Sequence, residues 1–90
     1  MFHVVYVLQS EIDGGLYIGY TKNVKRRLVE HNRGLNFSTK SKKPWQLIFF
    51  EAYLDEKDAK RREGYLKTSQ GARLLKRMLK EYFYKKRVEK

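Results

Sequence analysis

Residues 16–34 read LYIGYTKNVKRRLVEHNRG, and this stretch decides the fold of the chain. Its first five residues predict a short strand, because they are rich in β-branched and aromatic side chains. Thr21 or Asn23 then provides an N-cap for a helix over about residues 23–33, and Gly34 ends that helix. The stretch therefore predicts a strand followed directly by a helix.

The predicted helix carries an unusual pair of side chains. If Val24 and Leu28 mark its buried face, the period of 3.6 residues per turn directs Arg27 and His31 to the same side. A cationic side chain beside an apolar stripe costs free energy unless a partner or an anionic ligand meets it. The preceding strand brings Tyr17 into the same neighbourhood. We therefore expect Tyr17, Arg27 and His31 to form a cluster that contacts one target.

Length and composition predict one small domain, residues 1–84, with a basic, frayed tail at residues 85–90. The chain has 90 residues, of which 41% are apolar and 14% aromatic, which is sufficient for a core. It contains no cysteine, so disulfides and thiolate metal sites are excluded. The apolar start, residues 1–8, is too short to cross a bilayer and does not resemble a signal peptide. We expect a cytoplasmic protein.

The formal charge of +11 is concentrated in two blocks, residues 22–43 with net +7 and residues 57–90 with net +9. Such a field attracts polyanions and supplies salt-dependent affinity for phosphate backbones. Solvated helix faces and an anionic membrane surface are the alternatives, and nucleic acid is favoured over both. The candidate backbone contacts are Lys22, Lys40, Lys42, Lys43 and Lys67.

The remaining elements place the first strand at the centre of a sheet. Residues 2–9 predict a strand with Val4, Tyr6 and Leu8 on one face and Val5 and Val7 on the other, both largely apolar. An Asp-Gly-Gly turn joins it to the next strand as an antiparallel hairpin. The chain continues with a basic loop (residues 35–43), a strand (45–53) and a helix capped by Asp55 (56–68). After an interruption at Gly71, a last helix is predicted over residues 72–86. We assign its apolar stripe to the core: Leu74, Leu75, Met78, Leu79, Tyr82 and Phe83.

The helix over residues 56–68 contains a carboxylate on its inward face. Ala59 and Leu66 mark that face, and Glu63 lies between them. A carboxylate in such a position should be ion-paired, hydrogen-bonded or bound to a metal. A buried ion pair, with Arg27 as one candidate partner, and a metal site are both open from spacing alone.

Five residues could together hydrolyse a phosphodiester: Tyr6, Tyr17, Arg27, His31 and Glu63. The reaction needs a base for water, a cation for the developing charge and help for the leaving oxygen. Arg27 offers a planar fork for bidentate phosphate contact, which lysine does not reproduce. Glu63 is the only acid on a predicted inward face, so at most one divalent ion is expected. These residues alone support a nuclease and a plain nucleic-acid-binding module equally.

The order of these residues resembles the GIY-YIG nuclease superfamily over residues 3 to about 75. The likeness lies in Val4-Val5-Tyr6, in Tyr17-Ile18-Gly19 and in the spacing Asn23-x-x-x-Arg27-Leu28-x-x-His31-Asn32-x-Gly34. It continues through later positions, Thr39, Pro44-Trp45, Leu47, Glu51, Ala59, Arg62-Glu63, Leu66-Lys67 and Gly71. The chain looks most like small stand-alone members related to the N-terminal domain of the excision-repair endonuclease subunit. Val4-Val5 stands where the family has Gly-Ile.

The resemblance implies a small α/β (α+β) fold, a three-stranded antiparallel sheet flanked by about three helices, with one divalent metal ion, Mg²⁺ or Mn²⁺. Carried over by position, Tyr6 and Tyr17 line the site, with Tyr17 a candidate base or orienter of the attacking water. Arg27 matches the catalytic arginine, Glu63 the metal-binding glutamate, and His31 a position that assists proton transfer.

We therefore expect a metal-dependent endonuclease involved in DNA chemistry such as repair. A non-cleaving nucleic-acid-binding module and a protein-interaction domain are the alternatives. DNA is favoured over RNA, we expect a monomer, and no membrane partner is expected. The basic surfaces contact phosphates without specifying bases, so selectivity would come from nucleic-acid shape or from a partner protein.

Overall fold

The computed structural model describes residues 1–88 and consists of a three-stranded antiparallel sheet with helices on both faces. The strand order is β2-β1-β3, and both pairings are antiparallel. The predicted α+β fold is confirmed. Within the described range, no helix is both long enough and apolar enough to span a membrane. The elements are β1 (His3–Ser10), β2 (Leu16–Thr21), α1 (Val24–Asn32), β3 (Trp45–Tyr53), α2 (Glu56–Leu66), α3 (Ser69–Met78) and α4 (Lys80–Val88), with a 3₁₀ turn at Lys40–Lys42.

Strand β1 is the buried centre of the fold, as its two apolar faces predict. Residues 4–10 are all buried. One face packs against α1 through a core of Val4, Tyr6, Leu8 and Trp45. The opposite face packs against α2, where Val5 contacts a core that includes Ala59 and Leu66. The sheet thus forms a middle layer that separates α1 from α2.

The helix boundaries follow the predicted capping residues. The Asn23 side chain accepts a hydrogen bond from the Arg26 backbone N–H at the start of α1, and Asp55 caps α2 in the same way. Gly34 has φ +76°, the left-handed conformation that ends a helix at low cost in a residue without Cβ. Local polar chemistry therefore fixes where α1 and α2 begin.

The predicted single helix over residues 72–86 is wrong, because two helices occupy this region. Helix α3 begins at Ser69, since the Thr68 side chain caps it by accepting from the Gly71 N–H at 3.0 Å. The chain leaves helical geometry at Leu79, and a second helix, α4, begins at Lys80. The apolar stripe is consequently broken, and Met78, expected in the core, is 42% exposed.

The predicted basic tail at residues 85–90 is helical as far as Val88, the last residue of α4. Residues 89–90 lie outside the described residues. The chain from Lys80 to Val88 therefore forms a helix of its own, α4.

Gly71 lets α3 pack directly against the end of α2. A Cβ added there would lie 2.0 Å from the Tyr65 carbonyl oxygen and 2.6 Å from the Leu66 Cα. We expect Gly71→Ala to lower the free energy of unfolding by at least about 2 kcal/mol, because backbone must move to relieve the overlap. Gly64→Ala is the matched control. No atom lies within 4 Å of its added Cβ, so we expect a gain of up to about 1 kcal/mol. Urea unfolding measures both, and equal effects would contradict this packing.

Candidate active site

Gly19 allows Tyr6 to extend across the neighbouring strand. The two residues are register partners on β1 and β2, so they share the face that packs against α1. A Cβ on Gly19 would lie 2.5 Å from the Tyr6 hydroxyl oxygen. Only glycine accommodates the phenol in this position. Tyr17, two residues before Gly19 on the same strand face, places its ring 6.2 Å from that of Tyr6 between centroids.

The buried His31 side chain connects Tyr6 to the loop that follows α1. Its Nε2 lies 2.9 Å from the Tyr6 hydroxyl and its Nδ1 lies 2.8 Å from the Thr39 hydroxyl. His31 is fully buried and Thr39 is 1% exposed, so both ring nitrogens are satisfied within the protein. The loop is held in turn by Trp45, whose indole N–H donates to the Thr39 carbonyl at 2.9 Å.

The bonding pattern favours one tautomer of the imidazole. Thr39 donates its hydroxyl proton to the Asn36 carbonyl at 3.4 Å, which leaves the hydroxyl oxygen free to accept from His31 Nδ1–H. Nε2 then carries no proton and accepts from the Tyr6 O–H. Burial lowers the pKa of His31 below its ordinary value, and the positive charge of Arg27 lowers that pKa further, against a smaller opposing effect of Glu30. His31 is therefore a neutral acceptor for the Tyr6 proton.

Tyr17 packs against this network without joining its hydrogen bonds. Its ring meets His31 edge-on at 4.9 Å and Trp45 at 6.2 Å between centroids. In the described part of the chain its hydroxyl makes no hydrogen bond. The residue also borders a hollow of about 330 Å³ lined by Leu66, Lys67, Ala72 and Leu75, among others. The Tyr17 hydroxyl is thus a polar group without an internal partner among the described residues, on a residue at the edge of this hollow.

Arg27 is held beside Tyr6 by a carboxylate on its own helix. Its guanidinium pairs with Glu30 at 2.8 Å, and both side chains are 29% exposed. Burial acts to lower the pKa of Arg27, but the adjacent Tyr6 hydroxyl and the Glu30 carboxylate together raise it above its ordinary value. Glu30, rather than Glu63, therefore partners Arg27.

Glu63 approaches the cluster from the opposite helical layer. Its carboxylate pairs with Lys67 at 3.0 Å, one turn along α2, with 19% of the Glu63 side chain and 53% of the lysine side chain exposed. Burial raises the pKa of the Tyr6 hydroxyl, Arg27 opposes that rise, and the charges of Tyr17 and Glu63 add to it. The effect of Glu63 on the pKa of Tyr6 is the smallest of these.

Comparison with known proteins identifies the domain. Residues 2–78 match the GIY-YIG catalytic domain. The chain belongs to the GIY-YIG family. It is similar to a UPF0213 protein of Staphylococcus saprophyticus, with 35% identity over 75 residues that cover 82% of this chain and 90% of the relative. A UPF0213 protein of Staphylococcus aureus is 39% identical over 80 residues, covering 88% of this chain and 95% of the relative.

The solution NMR structure of a UPF0213 protein from Bacillus halodurans has a similar fold. The TM-score is 0.55 at 31% sequence identity, and the match covers 87% of this chain and 85% of that chain. The resemblance to small stand-alone GIY-YIG members is thereby confirmed. Membership of a nuclease superfamily indicates a nucleic-acid substrate. The UPF0213 designation specifies neither a reaction nor a target.

Glu63 is the carboxylate near this cluster that could hold a divalent ion, since Glu30 is paired with Arg27. Within residues 1–88, no group of three or more His, Asp or Glu side chains could hold a metal ion. Glu63 nevertheless fits a Mg²⁺-type ion, which keeps several waters and is commonly bound through one or two carboxylates together with substrate phosphate. Lys67, its present partner, is mostly exposed and has a flexible stem, so the ion pair costs little to break.

The five candidate backbone lysines are all exposed, but two of them are ion-paired. Lys42 pairs with Asp13 at 3.2 Å, and Lys67 pairs with Glu63 as described above. Lys40 lies over the Phe37 ring, 4.8 Å from its centroid. Lys22 follows β2 directly, and Lys43 precedes β3 by two residues. They line up on no single element, so their role in binding stays a prediction.

Thr39 completes the candidate site although residue patterns did not assign it there. We expect Thr39→Val to lower the free energy of unfolding by about 1–3 kcal/mol, because it leaves His31 Nδ1 buried without a partner. Thr39→Ser keeps the hydroxyl and should restore most of the loss. Urea unfolding of both variants measures this, and equal losses would show that the hydroxyl contributes nothing.

The lowered pKa of His31 predicts a pH-dependent stability. Unfolded histidine titrates near pH 6.5, so below that pH the unfolded chain binds a proton that folded His31 does not. The stabilisation is complete above about pH 6.5 and is lost as the pH falls through the folded pKa. We expect His31→Gln to reduce this pH dependence of the free energy of unfolding. The other histidine, His3, is present in both the wild type and the variant, so its contribution is common to the two. An NMR titration of the His31 imidazole gives the direct readout, and an unshifted titration would contradict the interpretation.

Proposed function

We propose that this GIY-YIG domain is a metal-dependent endonuclease that hydrolyses phosphodiester bonds in DNA at the Tyr6 cluster. The observation that carries the proposal is that Tyr6 lies between the His31 imidazole, whose Nε2 is 2.9 Å from the Tyr6 hydroxyl, and the Tyr17 ring, at 6.2 Å between centroids. The charges of Arg27 and Glu63 shift the pKa of the same hydroxyl in opposite directions, which supports the proposal. A hydroxyl surrounded by a cation, a carboxylate and a second phenol is suited to a phosphate and an attacking water.

The proposed roles follow from the hydrogen bonds. Tyr17, whose hydroxyl is available, orients the water. As the water attacks phosphorus, the bond from phosphorus to the leaving oxygen breaks, and the leaving oxygen takes a proton from solvent water. The proton of the attacking water passes to the Tyr6 oxygen while the Tyr6 proton passes to His31 Nε2. Nδ1–H keeps its hydrogen bond to Thr39 in the imidazolium, but burial and the charge of Arg27 disfavour that form, so His31 returns its proton through Tyr6 after the step. Arg27, oriented by Glu30, contacts the phosphate oxygens and stabilises the charge of the transition state.

Glu63 is the residue that would hold the metal ion, Mg²⁺ or Mn²⁺. When bound, such an ion polarises the phosphate and stabilises the leaving oxygen. Lys67 must release Glu63 for this to occur, and as an exposed cation it can then contact the phosphate backbone. The chain thus exchanges an internal ion pair for substrate contacts.

One assay tests the proposal. Purified protein is incubated with supercoiled DNA, branched DNA and RNA, with and without Mn²⁺, alongside Arg27→Ala and Glu63→Ala. Metal-dependent nicking that is lost in both variants supports the endonuclease, and the preferred polymer identifies the substrate. Binding without any cut product, unaffected by Glu63→Ala, would instead indicate a module that retains the fold without turnover.

A further inference from the structure

A second concave surface lies away from the candidate active site, between α4 and the end of the β1–β2 hairpin. It is a groove of about 510 Å³, and its principal lining side chains are Lys76, Lys80, Phe83, Tyr84, Lys86 and Arg87. We call it the α4 groove. Among its lining residues four are cations and none is an acid. Within residues 1–88, no carboxylate lies within ion-pair distance of these four cations.

The groove is a regular feature of one helix face. Lys80, Phe83, Tyr84 and Arg87 follow the spacing i, i+3, i+4, i+7, which aligns them along α4. The face therefore presents a cation, two adjacent aromatic rings and a second cation in order. Tyr84 is 57% exposed, so its ring is accessible to a ligand and is not buried in the core.

Helix α4 is anchored to the sheet, which gives the groove a defined shape. Tyr82 donates a hydrogen bond to the Gln9 side chain of β1, and Gln9 donates to the Gly14 carbonyl at 3.0 Å. Gln9 and Gly14 themselves form part of the groove wall. The aromatic and basic face of α4 is thus fixed against the hairpin.

Helix α3 contributes one residue to the hollow beside Tyr17 and another to the α4 groove. Leu75 lines the hollow next to Tyr17, and the adjacent residue Lys76 lines the groove.

We propose that the α4 groove binds an unpaired nucleic-acid strand, with Phe83 and Tyr84 stacking on bases and the four cations contacting phosphates. Tyr84 is exposed, and Phe83 is partly buried against Tyr82. Cations that flank accessible aromatic surface in a groove are the chemistry that binds single strands without sequence preference. Bases inside a duplex are already stacked on each other, so a paired strand cannot use the two rings. The proposal depends on nucleic acid being the substrate class and is independent of whether the domain cleaves.

Equilibrium binding in EDTA tests the groove without cleavage. We expect Tyr84→Ala to weaken binding of a short single-stranded DNA or RNA by about 5- to 150-fold, and to leave binding of a blunt duplex nearly unchanged. Tyr84→Phe keeps the ring and should bind like the wild type. Removing two cations, in Lys80→Gln with Arg87→Gln, should reduce the slope of log affinity against log salt by about 1.4 for the single strand.

Lys57→Gln with Lys60→Gln is the control for net charge, since both lysines lie on α2 towards the opposite end of the sheet. It should change the salt slope for the single strand less than the groove variant does. The proposal is wrong if Tyr84→Ala weakens single-strand and duplex binding equally, or if the two charge variants behave alike. It is also wrong if the groove variants lose binding to anionic vesicles but keep binding to the single strand. Failure of cleavage alone would leave these results unaffected and would count against the endonuclease only.

Discussion

Arg27→Ala is expected to slow metal-dependent cleavage by about 100- to 1,000-fold, the loss typical of removing one preorganised charge-stabilising donor. The guanidinium is only 29% exposed and is oriented by Glu30 at 2.8 Å beside the Tyr6 hydroxyl. Arg27→Lys should not restore the rate, because a lysine ammonium cannot reproduce the bidentate fork. Single-turnover cleavage rates with saturating Mn²⁺ measure the effect.

Arg26→Ala provides the matched control for this prediction. It removes the same charge from the adjacent position, its side chain is 71% exposed, and it contacts the same carboxylate, Glu30, at 3.6 Å. We expect a change of only a few-fold, from the loss of long-range attraction. If Arg26→Ala slowed cleavage as much as Arg27→Ala, Arg27 would act through the general basic field rather than at the reacting phosphate.

Glu63→Gln is expected to reduce metal-dependent cleavage by at least about 100-fold, because the neutral amide is a poor ligand for a hard cation. The fold should persist, since the ion pair with Lys67 is solvent-accessible on the lysine side and contributes little to stability. Affinity for nucleic acid in EDTA should therefore be retained, and cleavage and binding are measured on the same preparation.

The ion pair between Glu63 and Lys67 offers a way to separate a metal ligand from a structural partner. If Glu63 binds the ion, Lys67→Met should tighten Mn²⁺ binding to the free protein, because the carboxylate loses its competitor. Glu63→Gln should abolish that binding. Mn²⁺ affinity that is unchanged in Glu63→Gln would exclude Glu63 as the ligand.

Residue patterns predicted the parts of the fold that local chemistry controls. The caps at Asn23 and Asp55 and the two faces of β1 depend on a residue and its immediate neighbours, and each is confirmed. The break at Leu79 was not predicted, because the apolar stripe runs on through it. Helix α3 instead follows the Thr68 cap and the close packing of Gly71.

The sequence predicted which residues form the candidate site better than it predicted the contacts between them. Helical spacing correctly directed Arg27 and His31 to the buried face of α1. Thr39 matches the family by position, but it lies in an aperiodic run with lysines, so its hydrogen bond to His31 could not be predicted from spacing. The ion pair between Glu63 and Lys67 could be predicted from the sequence, because a glutamate four residues before a lysine is a favourable arrangement on a helix.

The account depends on residues from α1 and α2, on opposite faces of the sheet, acting on one phosphate. The most direct test is the cleavage rate of Arg27→Ala, Glu63→Gln and the double variant. Residues that act as one unit are strongly non-additive, so the double variant should be little slower than the slower single variant. A double variant that loses the full product of the two separate effects would place Arg27 and Glu63 in independent roles and contradict a shared site.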